Sequence, residues 1–396
     1  MEQRKKISAI VTAYYPSSHA DVIITKFLKG FPTDNGLLPP KVDIASIYID
    51  QTHDRDIGIK MADQYGVSVY PSIRQALTLG GKELAVDGVI LIGEHGDYAW
   101  NEKDQQLYPR RYFLEQTCGV FATSGRSVPV YSDKHLSYNW SDAKWMYERT
   151  KELEVPFMAG SSLPLGWRNP WLEYPLNTKV EEAITVAYGG LESYGFHALE
   201  LLQCMVERRF GGETGIRSVQ CIEGNDVWKA GNEGRWSQEL AKSALACIEG
   251  KKDGNMEMQC EAPAVFLLEY SDGLCAGVLM LNNYLQGWGY SGRVNGQVQS
   301  METYLPNSPY AHFSYLSLNI QQLFLTGTPP YPVERTLLVS GALDALMESR
   351  YKGHIRIETP YLDVHYRSYN EMLIRPLASR PKGASLVPFD EEVRYV

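Results

Sequence analysis

The chain lacks several features that would assign it to a simple class. None of its apolar runs reaches the length of about 20 residues that a transmembrane helix requires, so we expect no membrane partner. Acidic residues outnumber basic ones by 47 to 38, and the resulting charge of −9 argues against a nucleic-acid partner. Internal repeats and low-complexity segments are missing as well. The composition is therefore that of an ordinary globular protein.

Paired cysteines at metal-binding spacing are also missing. The six cysteines are scattered along the chain and include no Cys-x-x-Cys motif. This pattern is typical of a reducing compartment and indicates no structural zinc site. The apolar run that begins at Ile7 ends before Tyr14, which is too short for a signal peptide, and we interpret it as a first strand. We therefore expect a cytoplasmic protein.

A strand–helix–strand unit occupies residues 126–162. The apolar, β-branched run 128–131 predicts a buried strand, Asn139 is a suitable N-cap for the following helix, and 155–158 predicts the next strand. Lys134 stands between an acid and a histidine just after the first of these strands. Ligands bind at the carboxyl edge of open parallel sheets. The position of Lys134 therefore predicts a functional role.

A second polar cluster follows the predicted strand 86–92. Glu94, His95 and Asp97 lie at the same edge of the sheet as the lysine. One interpretation is turn chemistry with surface charge. The other is a polar active centre, in which imidazole and carboxylate groups could bind a divalent metal. The next helix opens with Arg110-Arg111. The two arginines could hold an anionic group, but we expect them on a solvated face.

Two stretches of the chain resemble motifs of one family. The segment 133–135 reads Asp-Lys-His where the Gfo/Idh/MocA sugar oxidoreductases end a strand with Glu-Lys-Pro. The family's second motif is a pair of glycines followed by Asp-x-Gly-x-His-x-x-Asp. Gly195 and His197 match it, and Glu200 replaces the last Asp. The resemblance covers most of residues 7–355.

The resemblance implies an NAD(P)-dependent enzyme. Lys134 and His197 would be its catalytic acid–base pair, since an imidazole suits proton transfer near neutral pH. An acid at Asp50 would bind the adenosine ribose, although it could equally cap the next helix. For Ser161 and Arg168, a structural role in a proline-rich crossover is an open alternative. The cofactor contacts that the resemblance implies are Tyr14, Asp50, Glu94, His95, Asp133, Ser161 and Arg168.

The family's nucleotide loop has no counterpart here. A dinucleotide-binding chain needs G-x-G-x-x-G after its first strand, because glycine lets the backbone approach the pyrophosphate. Residues 12–19 read Thr-Ala-Tyr-Tyr-Pro-Ser-Ser-His and contain no glycine. Tyr14 and Tyr15 would fill the space of the diphosphate, so we expect nucleotide binding to be weak or displaced. We interpret His19 as a helix-start residue.

We predict an α/β fold in two domains. Residues 1–162 would form a Rossmann-like parallel-sheet domain of nucleotide-binding type. Residues 163–396 would form an α+β substrate and oligomerisation domain with a large open mixed sheet, a C-terminal helix and a tail. The first functional hypothesis is a sugar or polyol oxidoreductase using NAD or NADP. The alternatives are a non-redox carbohydrate lyase or hydrolase on the same scaffold, with a divalent metal as a candidate cofactor, and a non-catalytic sugar-binding protein. We expect a small carbohydrate as ligand and a homo-oligomer.

Overall fold

The computed structural model describes residues 4–389, and its first part is a six-stranded parallel sheet between helices. The strands are β1 (Lys6–Val11), β2 (Phe31–Thr33), β3 (Gly36–Leu38), β4 (Asp43–Ile49), β5 (Ser68–Val69), β6 (Gly88–Ile92), β7 (Val130–Asp133) and β8 (Phe157–Gly160). The helices are α1 (His19–Lys29), α2 (Gly58–Gln64), α3 (Ile73–Thr78), α4 (Arg110–Ser124) and α5 (Trp140–Glu152). The sheet order is β5-β4-β1-β6-β7-β8, while β2 and β3 form a separate hairpin.

Helices cover both faces of this sheet, which explains why its central strands are mostly apolar. Ile7 and Val11 of β1 point into one core, and Ile10 of the same strand points into the other. Strand β6 is buried along its whole length. Continuous apolar runs of this kind are typical of parallel strands buried on two sides. The arrangement brings the carboxyl ends of β1, β6 and β7 to one edge.

The second part is an eight-stranded mixed sheet. Its order is β17-β12-β13-β14-β10-β15-β16-β9, where β10 and β14 are parallel neighbours and the other pairs are antiparallel. The strands of this part are β9 (Trp167–Asn169), β10 (Val180–Ala187), β11 (Glu213–Thr214), β12 (Ile216–Glu223), β13 (Ala262–Tyr270), β14 (Cys275–Asn282), β15 (Trp288–Val294), β16 (Gln297–Tyr304), β17 (Ile357–Glu358) and β18 (His365–Tyr366). The helices are α6 (Ser193–Val206), α7 (Asp226–Asn232), α8 (Gln238–Ala246), α9 (Met256–Gln259), α10 (His312–Thr326) and α11 (Glu334–Tyr351), and short 3₁₀ helices lie at Leu163–Leu165 and Gly383–Leu386.

The large sheet packs helices on both of its faces. Helices α6 and α11 cover one face, and α7 and α8 cover the other. The predicted fold class, a Rossmann-like parallel sheet followed by an α+β part with a large mixed sheet, is confirmed. The domain boundary at residue 162 stays a prediction, and α10, which follows it, packs into a core of the first sheet. Residues 390–396 of the predicted tail lie outside the described residues. Among residues 4–389, no helix combines the length and apolarity needed to cross a membrane.

The two parts meet where β8 ends against α6. Gly160 has a φ of +125°, and a Cβ there would lie 2.4 Å from Glu200 Oε1, so glycine is required. The Glu200 carboxyl group is buried and accepts hydrogen bonds from the Ser161 amide (2.7 Å) and the Ser161 hydroxyl (2.6 Å). The Thr336 hydroxyl donates its single hydrogen to Ala159 O (2.9 Å), so a protonated Glu200 can donate to Thr336 Oγ1 (3.2 Å). Burial raises the pKa of Glu200 to about 7.

We expect Glu200 to make the protein less stable as the pH rises. Between the usual pKa of 4.5 and the folded-state pKa of about 7, the folded chain keeps a proton that the unfolded chain has lost. The free energy of unfolding then falls by about 1.4 kcal/mol per pH unit, or about 3 kcal/mol in total. Glu200→Gln keeps both a donor and an acceptor but cannot ionise. Urea unfolding across this pH window should therefore show the wild type losing about 3 kcal/mol relative to Glu200→Gln. Parallel stability curves for the two proteins would contradict this expectation.

Candidate active site

A cavity of about 940 Å³ opens at the carboxyl edge of the parallel sheet, between the two large sheets. Glu94 and His95 reach it from the end of β6, Lys134 from the end of β7, and His197 from the first turns of α6. The structure thus brings together four of the residues that the sequence placed in a site. Their roles remain predictions.

Lys134 is held in place before any ligand binds. It is 2 % exposed, and its Nζ lies 2.7 Å from Glu94 Oε1 and 3.3 Å from the carbonyl oxygen of Ser193. Its backbone has a φ of +61°, which is uncommon outside glycine, and its amide donates to Gly160 O (3.1 Å). Such backbone conformations concentrate at functional sites. The ammonium group is therefore both buried and fixed.

Arg110 completes a buried charge network behind the lysine. Its Nη2 donates to Glu94 Oε2, and its Nη1 lies 2.9 Å from His135 Nε2, which in turn contacts Glu192 Oε1 at 3.0 Å. Burial alone would raise the pKa of Glu94, but Lys134 and Arg110 lower it well below its usual range. The expectation that Arg110 lies on a solvated face is wrong, because the side chain compensates a buried carboxylate.

Four histidines line the cavity, and three of them have an unpartnered ring nitrogen in the described structure. These atoms are His95 Nε2, His197 Nδ1 and His312 Nδ1. Burial lowers the pKa of His95 to about 4 and that of His312 to about 3. Burial, together with the Lys134 ammonium group, holds the pKa of His197 well below its usual range. These imidazoles are therefore neutral near neutral pH.

The fourth histidine, His19, is the first residue of α1. Its Nδ1 lies 2.6 Å from Asp133 Oδ2, and Asp133 itself is fully buried. The ring centroid of His19 is 5.4 Å from that of His95 and 6.5 Å from that of His197. The helix-start interpretation of His19 describes its position in the chain, but Ser18 rather than His19 caps the helix. The side chain of Asp133, predicted to contact a cofactor, binds His19 instead.

Aromatic rings form one wall of the cavity. The rings of Tyr194 and Trp288 are stacked with centroids 5.7 Å apart and planes inclined by 16°, and Tyr188 packs against both. Gly189, with a φ of +98°, allows the Tyr194 ring to approach, because a Cβ there would lie 2.3 Å from the ring. His197 meets Trp288 edge to face at 6.1 Å. Such a wall suits the apolar face of a sugar ring.

The first loop does not fit a dinucleotide in the usual position. Tyr14 is fully buried, donates to or accepts from Thr25 through its hydroxyl (2.8 Å), and packs on Gly58. Asp21 lies in the first turn of α1, where its carboxylate accepts from the Ser17 amide at 2.8 Å. The N-terminus of this helix would normally bind the pyrophosphate. In this chain the Asp21 carboxylate accepts a hydrogen bond from the Ser17 amide, which is therefore not available to a phosphate. The negative charge of Asp21 would also repel a bound anion.

Three other side chains that were predicted to contact a cofactor bind protein groups instead. Asp50 accepts hydrogen bonds from the hydroxyls of Tyr48 and Tyr98, both at 2.6 Å, which leaves it poorly placed for a ribose. Ser161 binds Glu200, and the guanidinium group of Arg168 donates to the carbonyl oxygens of neighbouring residues. The structure therefore does not bring Asp50, Ser161 or Arg168 to the cavity wall.

The polar cluster after β6 does not assemble the ligands of a metal ion. Glu94 is engaged by two cations, and Asp97 is exposed. Within residues 4–389, Cys221, Glu223 and His354 are the residues whose ligand atoms lie within 4.8 Å of one another. They lie outside the cavity, and Glu223 is paired with an arginine at 2.7 Å. The structure therefore gives no support to a metal centre in the cavity.

Comparison with known proteins identifies the fold. No protein-family model and no curated protein matches the sequence. GenD2 from gentamicin A biosynthesis, solved in complex with NAD, is 14 % identical over 90 % of this chain and 97 % of its own, with a TM-score of 0.57. Apo scyllo-inositol dehydrogenase from Lactobacillus casei is 10 % identical over 90 % of this chain and 99 % of its own, with a TM-score of 0.56. Myo-inositol dehydrogenase from the same organism, in complex with NAD(H) and myo-inositol, is 10 % identical over 90 % of this chain and 97 % of its own, with a TM-score of 0.55. At these identities the similarity establishes the fold alone, which this chain shares with the inositol dehydrogenases.

We expect the protein to bind NAD and NADP only weakly. Asp21 and Tyr14 obstruct the diphosphate, and the hydroxyls of Tyr48 and Tyr98 already bind both oxygens of Asp50. Calorimetric titration should give dissociation constants no tighter than about 1 mM for either nucleotide, and the denatured protein should release none. Asp21→Asn, which removes the charge and keeps an acceptor, serves as the matched variant. Tight binding to the wild-type protein would show that the loop accommodates the diphosphate by another route.

Proposed function

We propose that the protein is a divergent member of the Gfo/Idh/MocA group that catalyses a non-redox elimination on a carbohydrate. The observation that supports this most directly is the placement of Lys134 and His197 in one aromatic-walled cavity. The cavity volume of about 940 Å³ lies within the range of small-molecule sites. The stacked Tyr194 and Trp288 rings favour a sugar, because a pyranose presents an apolar face between polar edges.

The carboxylates of the cavity favour elimination over hydrolysis. Most glycosidases use two Asp or Glu carboxyl groups, one to protonate the leaving oxygen and one as base or nucleophile. Of the four glutamates that line this cavity, Glu94 is paired with Lys134 and Arg110, and Glu249 and Glu302 share Arg380. Glu192 contacts the buried ring of His135, whose pKa burial lowers, so it is the one lining glutamate of the described chain without a cationic partner. A pair of free carboxyl groups is therefore not present among the described lining residues, and imidazoles and the lysine are the better candidates for proton transfer.

The proposed reaction breaks a C–H bond next to a carbonyl group of the sugar. A neutral imidazole takes the proton, and the electron pair forms an enolate whose oxygen faces the Lys134 ammonium group. The enolate then expels the oxygen substituent on the adjacent carbon, a C=C bond forms, and the departing oxygen is protonated through the Lys134–His197 pair. Atoms and electrons balance without an oxidant. Fixed charge from Lys134, already buried and oriented, stabilises the enolate without reorganisation.

A second candidate is an NAD(P)-dependent sugar or polyol oxidoreductase. The fold favours it, since structures of the same fold hold NAD or NAD(H). In that case Lys134 and His197 would transfer the hydroxyl proton while hydride leaves to the nicotinamide. The occupied first loop argues against it, and tight nucleotide binding would make it the leading candidate.

The proposed function is tested by proton exchange. The protein, without added nucleotide or metal, is incubated in D₂O with keto-sugars, uronic acids and their glycosides, and the products are analysed by NMR and mass spectrometry. Deuterium incorporation next to the carbonyl group, followed by an unsaturated product, supports the proposal. Turnover that requires added NAD(P) and produces NAD(P)H would instead establish the oxidoreductase.

We expect Lys134→Met to abolish activity and keep the fold. Loss of a positioned proton donor or electrophile costs about 10²–10⁴ in rate. Glu94 retains Arg110, so the loss of stability should be below the about 3–5 kcal/mol of an uncompensated buried charge. Exchange rates and thermal unfolding are measured together, with Lys144→Met as control, since Lys144 lies half-exposed on α5. Near-wild-type exchange in Lys134→Met would mean that the lysine is structural.

A further inference from the structure

The loop that would bind a dinucleotide in related folds brings a histidine into the cavity. His19 begins α1 and lines the cavity with a side chain that is 13 % exposed. Its Nδ1 lies 2.6 Å from Asp133 Oδ2, at the end of β7, and the Asp133 side chain has no exposed surface. A buried carboxylate accepts a hydrogen bond from Nδ1–H, so the neutral ring carries its free lone pair on Nε2.

We propose that His19, oriented by Asp133, is the catalytic base that removes the proton from carbon. This assignment rests on the proposed elimination. His19 would remove the proton from carbon, whereas Lys134 and His197 would act on the substrate oxygens. The C–H proton passes to His19 Nε2, and the resulting imidazolium lies against the Asp133 carboxylate. Asp133 is thus a positioning residue.

The other cavity histidines are less suited to hold that proton. His95 Nε2, His197 Nδ1 and His312 Nδ1 have no hydrogen-bond partner among the described residues, so a positive charge on any of these rings would lack a directly bonded carboxylate. Burial also lowers the pKa of each of these three imidazoles. The groups packed around His19 are the carboxylate of Asp133 and the rings of His95, His197 and Phe313. At longer range, His19 interacts with the charge of Glu94.

The same residues explain why the first loop differs from a nucleotide loop. Ser18 caps α1, and Asp21 accepts from the backbone amide of Ser17, so that the helix begins at His19 in a fixed orientation. A loop built to approach a diphosphate would need glycines and free amides at these positions. Here the helix start instead presents an imidazole to the ligand.

The test compares wild-type protein with His19→Gln, Asp133→Asn and the control His53→Gln. His53 is exposed, packs on Tyr15 with ring centroids 5.0 Å apart at the same edge of the sheet, and does not line the cavity. The first measurement needs no substrate: ¹⁵N NMR of labelled histidines reports which nitrogen carries the proton. We expect His19 to carry it on Nδ1 in the wild type and to lose this preference in Asp133→Asn. An Nε2–H tautomer in the wild type would overturn the orientation by Asp133.

The second measurement is deuterium exchange at the substrate carbon, using the keto-sugar or uronic acid that the wild-type protein exchanges. His19→Gln should lower the exchange rate by about 10²–10⁴ with little change in KM, Asp133→Asn should lower it less, and His53→Gln should leave it unchanged. Wild-type exchange that persists in His19→Gln overturns the role of His19 and leaves the elimination standing. No exchange in the wild type on any of these sugars overturns the proposed function, and with it this assignment.

Discussion

The cavity depends on the pairing of one buried carboxylate. Glu94 follows β6, and an unpaired negative charge at its 5 % exposed position would cost several kcal/mol. Lys134 reaches it from the end of β7 and Arg110 from the start of α4, so its two oxygens connect three elements. This pairing fixes the ammonium group. Burial holds the pKa of His197 well below its usual range, and the ammonium group lowers it further. One ion cluster therefore sets the geometry of the candidate catalytic groups and contributes to their charge state.

The pairing of polar groups within the protein also accounts for the first loop. A dinucleotide-binding loop leaves amides and an acid free for the cofactor. This chain satisfies the corresponding groups internally through Asp21, Ser18 and the hydroxyls that bind Asp50. Buried polar groups need partners, and a protein partner excludes a ligand partner. A shared fold therefore does not decide on its own whether protein groups or a ligand occupy the position.

The sequence predicted the fold better than it predicted the contacts. Strand–helix alternation and two short motifs were sufficient for the architecture and for placing Lys134, His197, Glu94 and His95 around one edge. The buried position of Arg110 could not be predicted, because the partner that requires its burial lies 16 residues away in another element. The Asp133–His19 pair joins residues 114 positions apart. The one available signal in the sequence was His19, which stands in the segment where the glycine loop is missing. From the sequence alone, this histidine indicated only the start of a helix.

The large sheet constrains the expected homo-oligomer, which stays a prediction. Trp228, Trp236 and Leu240, from α7, α8 and the segment between them, pack on β-strand residues such as Leu267 and Leu279 and form a core of their own. A partner subunit could reach that sheet face only by displacing this core. Exposing the large apolar side chains of a packed core costs about 1.5–3 kcal/mol each, and a partner would have to offset that cost before the interface contributed any stability. We therefore expect an assembly of this chain to use a different surface, because the helices that cover the sheet are part of the folded subunit.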